Sequence, residues 1–405
     1  MFRLIFKSAL NSLLQRKSRS IMVILMIVLS LWGLMFMQGI YDGMIKQMID
    51  NALRSDCGEI SLYAKDFRAS KDIKKYIKDE EALEDFFNSR DDIKSYTRRI
   101  QTQGLAATAR YSKNIFIYAV DREQEIKQSR LNEYIKEGSF DFGSKSQGVI
   151  VGFKLAKKLK IKLGKKLILT TQDINNEIVS IKLNVTGIIK TNNMAFDENA
   201  VFMDLKRGKK FLNLDGMNHI AIRVNGKSDI AGLKKDLKKN FPNLESYSWD
   251  EIYPALLQSK KMMEVFALVS YLIVFLTAAA GIFAVVLISV LERLREFGIL
   301  RAVGTRFHII AYMIFCESLI IGVAGFVLGS LTGFLTLYYF NIYGLDLSSF
   351  SDALDEFGMD AVTYAVIRLE YFITGFIAVF SAIILSILIP LRILKRSNPV
   401  EVING

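Results

Sequence analysis

The chain has 405 residues, 51% of them hydrophobic, only four prolines, and a mean hydropathy of +0.26. It is too long for one compact domain and too apolar for an ordinary soluble enzyme. Its formal charge of +12 sits almost wholly in Asp42–Lys261, where the surplus is scattered and no zinc-finger or single-strand-binding signature accompanies it, so nucleic acid is not an expected partner.

In chain order, residues 1–19 carry Arg3, Lys7, Arg16, Lys17 and Arg19 without an acid and are predicted as a cytoplasmic amphipathic helix. Ile21–Tyr41 is free of charged side chains and long enough to cross a bilayer core that needs about 20 helical residues. Met37–Asp42 lacks an A-x-A-like cleavage site, so this span is expected to remain as a signal anchor. Ile45, Met48, Ile49, Ala52 and Leu53 continue its helical spacing, which predicts one helix running from the bilayer into the following domain.

Asp42–Lys261 is long enough to bury its own core. Gly58–Tyr63 and Ile115–Val120 read as strands and Glu80–Asn88 as a helix; Ile220–Val224, a helix over Ile230–Asn240 and a strand over Leu244–Tyr247 close the domain. Between them lie a predicted helix at Lys154–Lys160 and strands at Lys166–Thr171, Ile178–Val185 and Gly187–Ile189. The expectation is a split α+β domain with a β-rich subdomain inserted. Ser248 followed by Glu251 forms a capping-box pattern, and Pro254 should kink the helix that it opens within the second turn.

Three more charge-free blocks follow, Val265–Leu291, Ser318–Leu345 and Tyr371–Leu391, giving four spans in all. Arg293, Arg295, Arg301 and Arg306 after the second and Arg392, Lys395 and Arg396 after the fourth assign those sides to the cytoplasm. The loop Asn341–Ile367 holds Asp346, Asp352, Asp355, Glu356 and Asp360 with no Lys or Arg, and assigns itself and the large domain to the outside.

Catalytic chemistry is sparse. Each Gly-Lys pair lacks the earlier glycine of a phosphate-binding loop, and His219 and His308 stand alone without a Cys/His cluster, so no cofactor, metal or ATP site is expected on this chain. Cys57 and Cys316 are expected to be reduced and structural. Asp355 and Glu356 are adjacent and read as a solvated loop. The loop Leu291–Gly304 places Leu294, Phe297, Leu300 and Val303 at helical spacing, the pattern of a short amphipathic helix. Gly325, Gly329 and Gly333 form a GxxxGxxxG stripe for close helix packing, either within the chain or in a dimer. Glu317, buried in apolar sequence, should pair with Arg293 or Arg301.

Arg293-x-x-Glu296-x-Gly298-Ile-x-Arg301-Ala-x-Gly304, followed by Glu317 and a glycine-rich third span, resembles permease subunits of mechanotransmitting ABC transporters, the FtsX/MacB-like superfamily. Tyr41-Asp-Gly43, Gly58-Glu-Ile-Ser, Gly148-Val-Ile-Val-Gly152, Val185-x-Gly187-Ile and Asn398-Pro-Val look most like its lipoprotein-releasing LolC/LolE branch.

The resemblance implies an α-helical membrane protein with four transmembrane helices (20–41, 262–291, 309–340 and 368–391) and a large α+β periplasmic domain over 42–261. That domain would be Porter-like over about 42–120 and 215–261 and Sabre-like over about 121–214. It further implies a cytoplasmic coupling helix over 292–308, a periplasmic loop over 341–367 and a cytoplasmic tail over 392–405, all in a bacterial inner membrane.

Such a chain is not itself an enzyme. The expected partners are two copies of a separate ABC ATPase holding ATP and Mg, a second permease copy or paralogue, a lipoprotein substrate and a periplasmic lipoprotein carrier. Carrier recruitment in the family uses a proline-bearing loop of the β-rich subdomain, and no proline lies between Met1 and Phe241 here. ATPase coupling falls to Arg293, Glu296, Phe297, Gly298, Arg301 and Gly304. Met37, Ile40, Met44, Met48, Met262, Met263 and Phe266 are expected to form an adaptable surface for acyl chains. Alternatives are a macrolide- or peptide-efflux permease and a non-transporting membrane sensor or scaffold.

Overall fold

The computed structural model describes residues 17–129, 131–191, 194–225, 229–350 and 360–396. Most of the predicted N-terminal helix, loop residues Asp352, Asp355 and Glu356, and Asn398-Pro-Val lie outside them. The chain divides into a helical unit of Met1–Ile45, Ser259–Asp346 and Val362–Gly405, and a sheet unit of Lys46–Gln258 and Leu347–Ala361.

Four long helices, Lys17–Ala52, Pro254–Glu292, Phe307–Tyr343 and Leu369–Arg396, are each long and apolar enough to cross a membrane. Over their charge-free blocks they are apolar all round, as helices facing lipid on one side and protein on the other must be. Ile27 and Leu31, Ala278 and Ile282, Ile310 and Ile321, and Val379 and Ile383 share one core.

The glycine stripe packs inside the chain. A Cβ at Gly329 would stand 3.1 Å from Leu31 Cβ and 3.2 Å from Val28 Cα, at Gly325 it would meet Ile27, and at Gly333 Met35. Without side chains the third helix approaches the backbone of the first. Trp32 Nε1 donates to Thr336 Oγ1 at 3.0 Å along the same seam. Ser386 Oγ of the fourth helix donates to the Ala279 carbonyl of the second at 2.8 Å.

The second helix differs from expectation at Pro254. The Ser248/Glu251 capping box forms, with Glu251 Oε2 accepting from the Ser248 N–H at 2.8 Å, but the helix it opens is a single turn, Trp249–Ile252. Tyr253 leaves helical geometry at φ −116° and ψ 65°, and Pro254 starts a new helix instead of kinking the old one. The proline ring excludes α geometry from the residue before it and suits a helix's first position.

The sheet unit is built on ten strands: β1 (Ile60–Ala64), β2 (Ile93–Ala107), β3 (Ser112–Val120), β4 (Ile135–Gly138), β5 (Gly148–Gly152), β6 (Lys166–Gln172), β7 (Ile178–Ile189), β8 (Ala200–Asp204), β9 (His219–Val224) and β10 (Leu244–Ser248). Helices α1 (Glu80–Asn88), α2 (Arg122–Ser129), α3 (Phe153–Leu159), α4 (Leu205–Leu212) and α5 (Ile230–Asn240) pack on it.

The middle section expected as a β-rich insertion shares its sheet with the flanking pieces. All ten strands form one sheet in the order β10-β1-β9-β2-β3-β8-β5-β7-β4, with β6 bridging β2 and β7. The 15-residue β2 makes this possible: its first half pairs with β9, and its far end, Leu105–Ala107, pairs with β6. Ile60, Ile100, Ile117, Leu169, Val185 and Ile222 consequently belong to one core. The two strands expected around Gly187 are a single strand, β7, whose irregularity opposite Val149 and Ile150 takes up the apparent break.

Candidate functional site

The residues assigned to coupling lie where the second long helix ends. Arg293, at φ −106° and ψ 10°, interrupts the helix after Glu292, and a nine-residue helix, Leu294–Ala302, follows. The Arg293 guanidinium is a hub: Nη1 donates to Glu317 Oε1 of the third long helix at 2.8 Å, Nε donates to Glu296 Oε2 at 3.0 Å, and the group lies 4.9 Å from the Phe297 ring centre. Glu317 is buried. The structural partner expected for it is therefore Arg293, and a charge-assisted hydrogen bond in these surroundings is a strong positional constraint.

Phe297 and Gly298 are buried, Phe297 in the core of the long helices, and Arg301 Nη1 donates to the Leu394 carbonyl of the fourth long helix at 3.2 Å. Arg19 and Glu292 add an ion pair at 2.8 Å between the first and second long helices. The short helix is thus held on several sides. Its free surface consists of Arg295, Glu296, Ile299, Leu300, Ala302 and Val303, the last 82% exposed. Gly304 ends it in the left-handed region at φ +95°, where a side chain is strained even though a Cβ would meet nothing.

Four of the six residues assigned to coupling, Arg293, Phe297, Gly298 and Arg301, are held within the helical unit; Glu296 and Gly304 face outward. The single apolar face expected from Leu294, Phe297, Leu300 and Val303 is also split. At 3.6 residues per turn a strict three-residue step falls back about 60° each time, so Val303 lies about half a turn round from Leu294. Phe297 is buried while Leu300 and Val303 are exposed. Ile299, which that spacing passed over, joins the exposed set.

The residues assigned to acyl chains are mixed in exposure. Met37, Met262 and Phe266 are exposed on the helical unit and Met263 is half-buried. Ile40 is 8% exposed and belongs to the helical core, with Met44 packed against it, so Ile40 presents no free surface. Met48 belongs to the sheet unit. Close by in the helical unit is a polar group that sequence reasoning passed over: Asp42 Oδ2 accepts from Tyr371 OH at 2.5 Å and Arg368 Nε at 3.0 Å, and Tyr271 OH donates to Gln38 Oε1 at 2.6 Å. Its signal was the tyrosines and the glutamine standing inside otherwise apolar blocks.

His219 is a core residue of β9. Its ring stacks on Tyr63 with centres 4.6 Å apart, Nε2 lies 3.0 Å from Ser61 Oγ and Nδ1 2.9 Å from Gln101 Nε2. Burial, reinforced by Arg99, holds its pKa well below the usual imidazole range. Both cysteines are buried free thiols.

Residues 20–240 match the model of the MacB-like periplasmic core domain, and residues 268–399 match that of the FtsX-like permease C-terminal region. An uncharacterized ABC transporter permease of Methanocaldococcus jannaschii is 25% identical over 298 residues, covering 68% of this chain and 69% of that protein. Among solved structures, the extracellular domain of the noncanonic ABC-type transporter YknZ from Gram-positive bacteria is similar at 12% identity and TM-score 0.34, covering 47% of this chain and 99% of that one. The periplasmic region of MacB from Actinobacillus actinomycetemcomitans is similar at 14% identity and TM-score 0.34, covering 49% of this chain and 91% of that one.

Proposed function

We propose, from the premise that this chain belongs to the FtsX/MacB family of ABC transporter permeases, that it is the membrane subunit of a transporter that releases lipoproteins from the outer leaflet of a bacterial inner membrane. In this reading two permeases, identical or paralogous, sit on two copies of a separate ATPase that binds ATP and Mg. Closure of the ATPases pushes the short helix Leu294–Ala302, and the long helices carry the movement to a periplasmic sheet unit, whose parts correspond to Porter and Sabre. The substrate is an acylated lipoprotein handed to a periplasmic carrier.

The observation that carries the reading is the short helix itself. It is fixed at Arg293 to Glu317 and at Arg301 to the fourth helix, yet leaves Ile299, Leu300 and Val303 uncovered. A helix anchored on one side and apolar on the other suits insertion into a groove on a partner, and rigid anchoring lets a push be transmitted. Arg293, Phe297, Gly298 and Arg301 then act as the mount, and Glu296, Ile299, Leu300 and Val303 as the contact, with Gly304 ending the helix.

Copurification from native membranes tests the coupling. An ABC ATPase should accompany the wild-type chain and be lost from the Leu300→Asp/Val303→Asp variant at unchanged expression; an ATPase retained by that variant would refute the contact. Photo-crosslinkers at Met37, Met44, Met48, Met262, Met263 and Phe266 test the substrate. Acylated lipoprotein adducts support release, whereas small apolar drugs or peptides support efflux, and the absence of both substrate and ATPase supports a sensor or scaffold.

A further inference from the structure

The first long helix ends in an unusual way. After Ala52 it widens into one π turn, Leu53–Cys57, and Gly58 at φ +58° then turns the chain toward β1. Any Cβ at Gly58 would lie 2.3 Å from the Ile222 carbonyl oxygen, so only glycine allows this close seating of the turn on β9. Single π turns cluster at functional sites.

Asp56 in that turn is a meeting point. Its backbone carbonyl accepts from Arg99 Nη1 of β2, and its Oδ1 lies 3.4 Å from the same nitrogen. Its Oδ2 accepts from Tyr253 OH at 2.7 Å. Tyr253 is the residue between the capped turn Trp249–Ile252 and the proline that starts the second long helix. One carboxylate therefore holds the end of the first long helix against the beginning of the second.

Arg99 seats this pair on the sheet. It has no exposed surface, and Glu125 of α2 grips it as a fork, with Nε to Oε2 at 2.9 Å and Nη2 to Oε1 at 2.5 Å. Thr97 Oγ1 donates to the same carboxylate at 3.1 Å. Well-packed apolar side chains are often at least as stabilising as buried ion pairs of this kind. A role in fixing geometry accounts for the group better than a role in stability.

We infer that Asp56, Arg99, Glu125 and Tyr253 form a clasp that binds the outgoing first long helix and the returning second one to each other and to β2, making them move as one piece. All four are positioning residues. Their role in transport rests on the function proposed above; the clasp itself does not.

The test is hydrogen exchange on the full chain in lipid nanodiscs. Tyr253→Phe removes one hydroxyl and should speed exchange roughly tenfold or more in both 49–57 and 249–258, leaving β3 and β8 unchanged. Acceleration in only one of the two segments, or in neither, overturns the clasp. Adding Asp56→Asn to Tyr253→Phe should bring less further acceleration than Asp56→Asn brings alone, because the shared hydrogen bond is already gone; fully additive effects overturn it. Arg99→Lys, which keeps the charge but loses the fork, should loosen the same two segments, and serves if Asp56→Asn does not fold.

With its ATPase bound, Tyr253→Phe should hydrolyse ATP at the wild-type rate while the ATP-driven change in a spin-label distance across the sheet unit falls severalfold. An undiminished change overturns the clasp's part in coupling. A wild-type chain that binds no ATPase overturns the proposed function, and the exchange pattern then decides the clasp alone.

Discussion

The ion pair between Arg293 and Glu317 offers the sharpest test of how the short helix is mounted. Glu317→Gln keeps the side chain's shape and removes its charge, leaving Arg293, whose side chain is 15% exposed, with Glu296 at 3.0 Å and the Phe297 ring. Removing one partner of a buried pair costs about 3–5 kcal/mol. The surviving partners offset part of that, so about 2 kcal/mol is expected here. Arg293→Met strips the hub entirely and leaves Glu317 buried without its cation, which should cost about 3–5 kcal/mol. The double variant has no orphaned charge, so its loss should fall short of the sum by about 1.5–3 kcal/mol. Reversible unfolding of the full chain in mixed micelles, titrated with SDS, measures all four corners of this cycle. A coupling below about 0.5 kcal/mol would mean that the 2.8 Å contact carries no energy and that the helix is mounted by other contacts, those of Phe297 and Arg301 among them.

Three further outcomes follow from the packing. Gly329→Leu should destabilise the helical unit by about 1–3 kcal/mol because its Cβ meets the backbone of the first helix, and Gly33→Leu, where no atom lies within 4 Å, should cost little; equal losses in SDS titration would deny the seam. His219, held neutral by burial, binds a proton more readily once unfolded. Stability of the sheet unit should therefore be complete above the unfolded imidazole pKa of about 6.5 and fall as pH drops below it, by at most about 1.4 kcal/mol per unit. His219→Gln should flatten that fall, and an unchanged slope in thermal unfolding against pH would refute the assignment. Gly304→Ala should lower stability by about 1 kcal/mol through its left-handed backbone alone, and an unchanged stability in SDS titration would refute that strain.

The four long helices could be read from the sequence because a charge-free run of spanning length has few other meanings. α1 and α5 could be read for a related reason: Leu83 and Phe87, and Leu233 and Leu237, repeat at four-residue spacing, and each pair is buried. β2 escaped notice because Arg98 and Arg99 interrupt its apolar pattern, and a buried arginine looks like a surface one until Glu125 is found beside it. α2 was hidden likewise, since Arg-Glu-Gln-Glu-Ile-Lys-Gln-Ser has no apolar stripe, yet Glu125 and Gln128 point inward. The unity of the sheet lies in the pairing of Leu105–Ala107 with Ile168–Thr170, residues far apart in the chain whose partnership no local pattern encodes. At the short helix, the residue types were legible and their inward or outward aim was not. That aim depends on where Arg293 breaks the preceding helix, a matter of Glu317's position in space.

The glycine seam also limits how copies of this protein can assemble. Its groove is already filled by Ile27, Leu31 and Met35 of the same chain, so a neighbour cannot dock there without first evicting a helix. The second helix is the least enclosed of the four, with 28% of its most apolar window buried, and it turns Val265, Leu268, Leu272, Ile273 and Leu276 outward. Among the described residues that flank is uncovered, so a neighbour seated on it would displace none of them. Two subunits could then separate and rejoin many times over without either losing its internal architecture, and a paralogue could diverge along the flank while the seam stayed as it is.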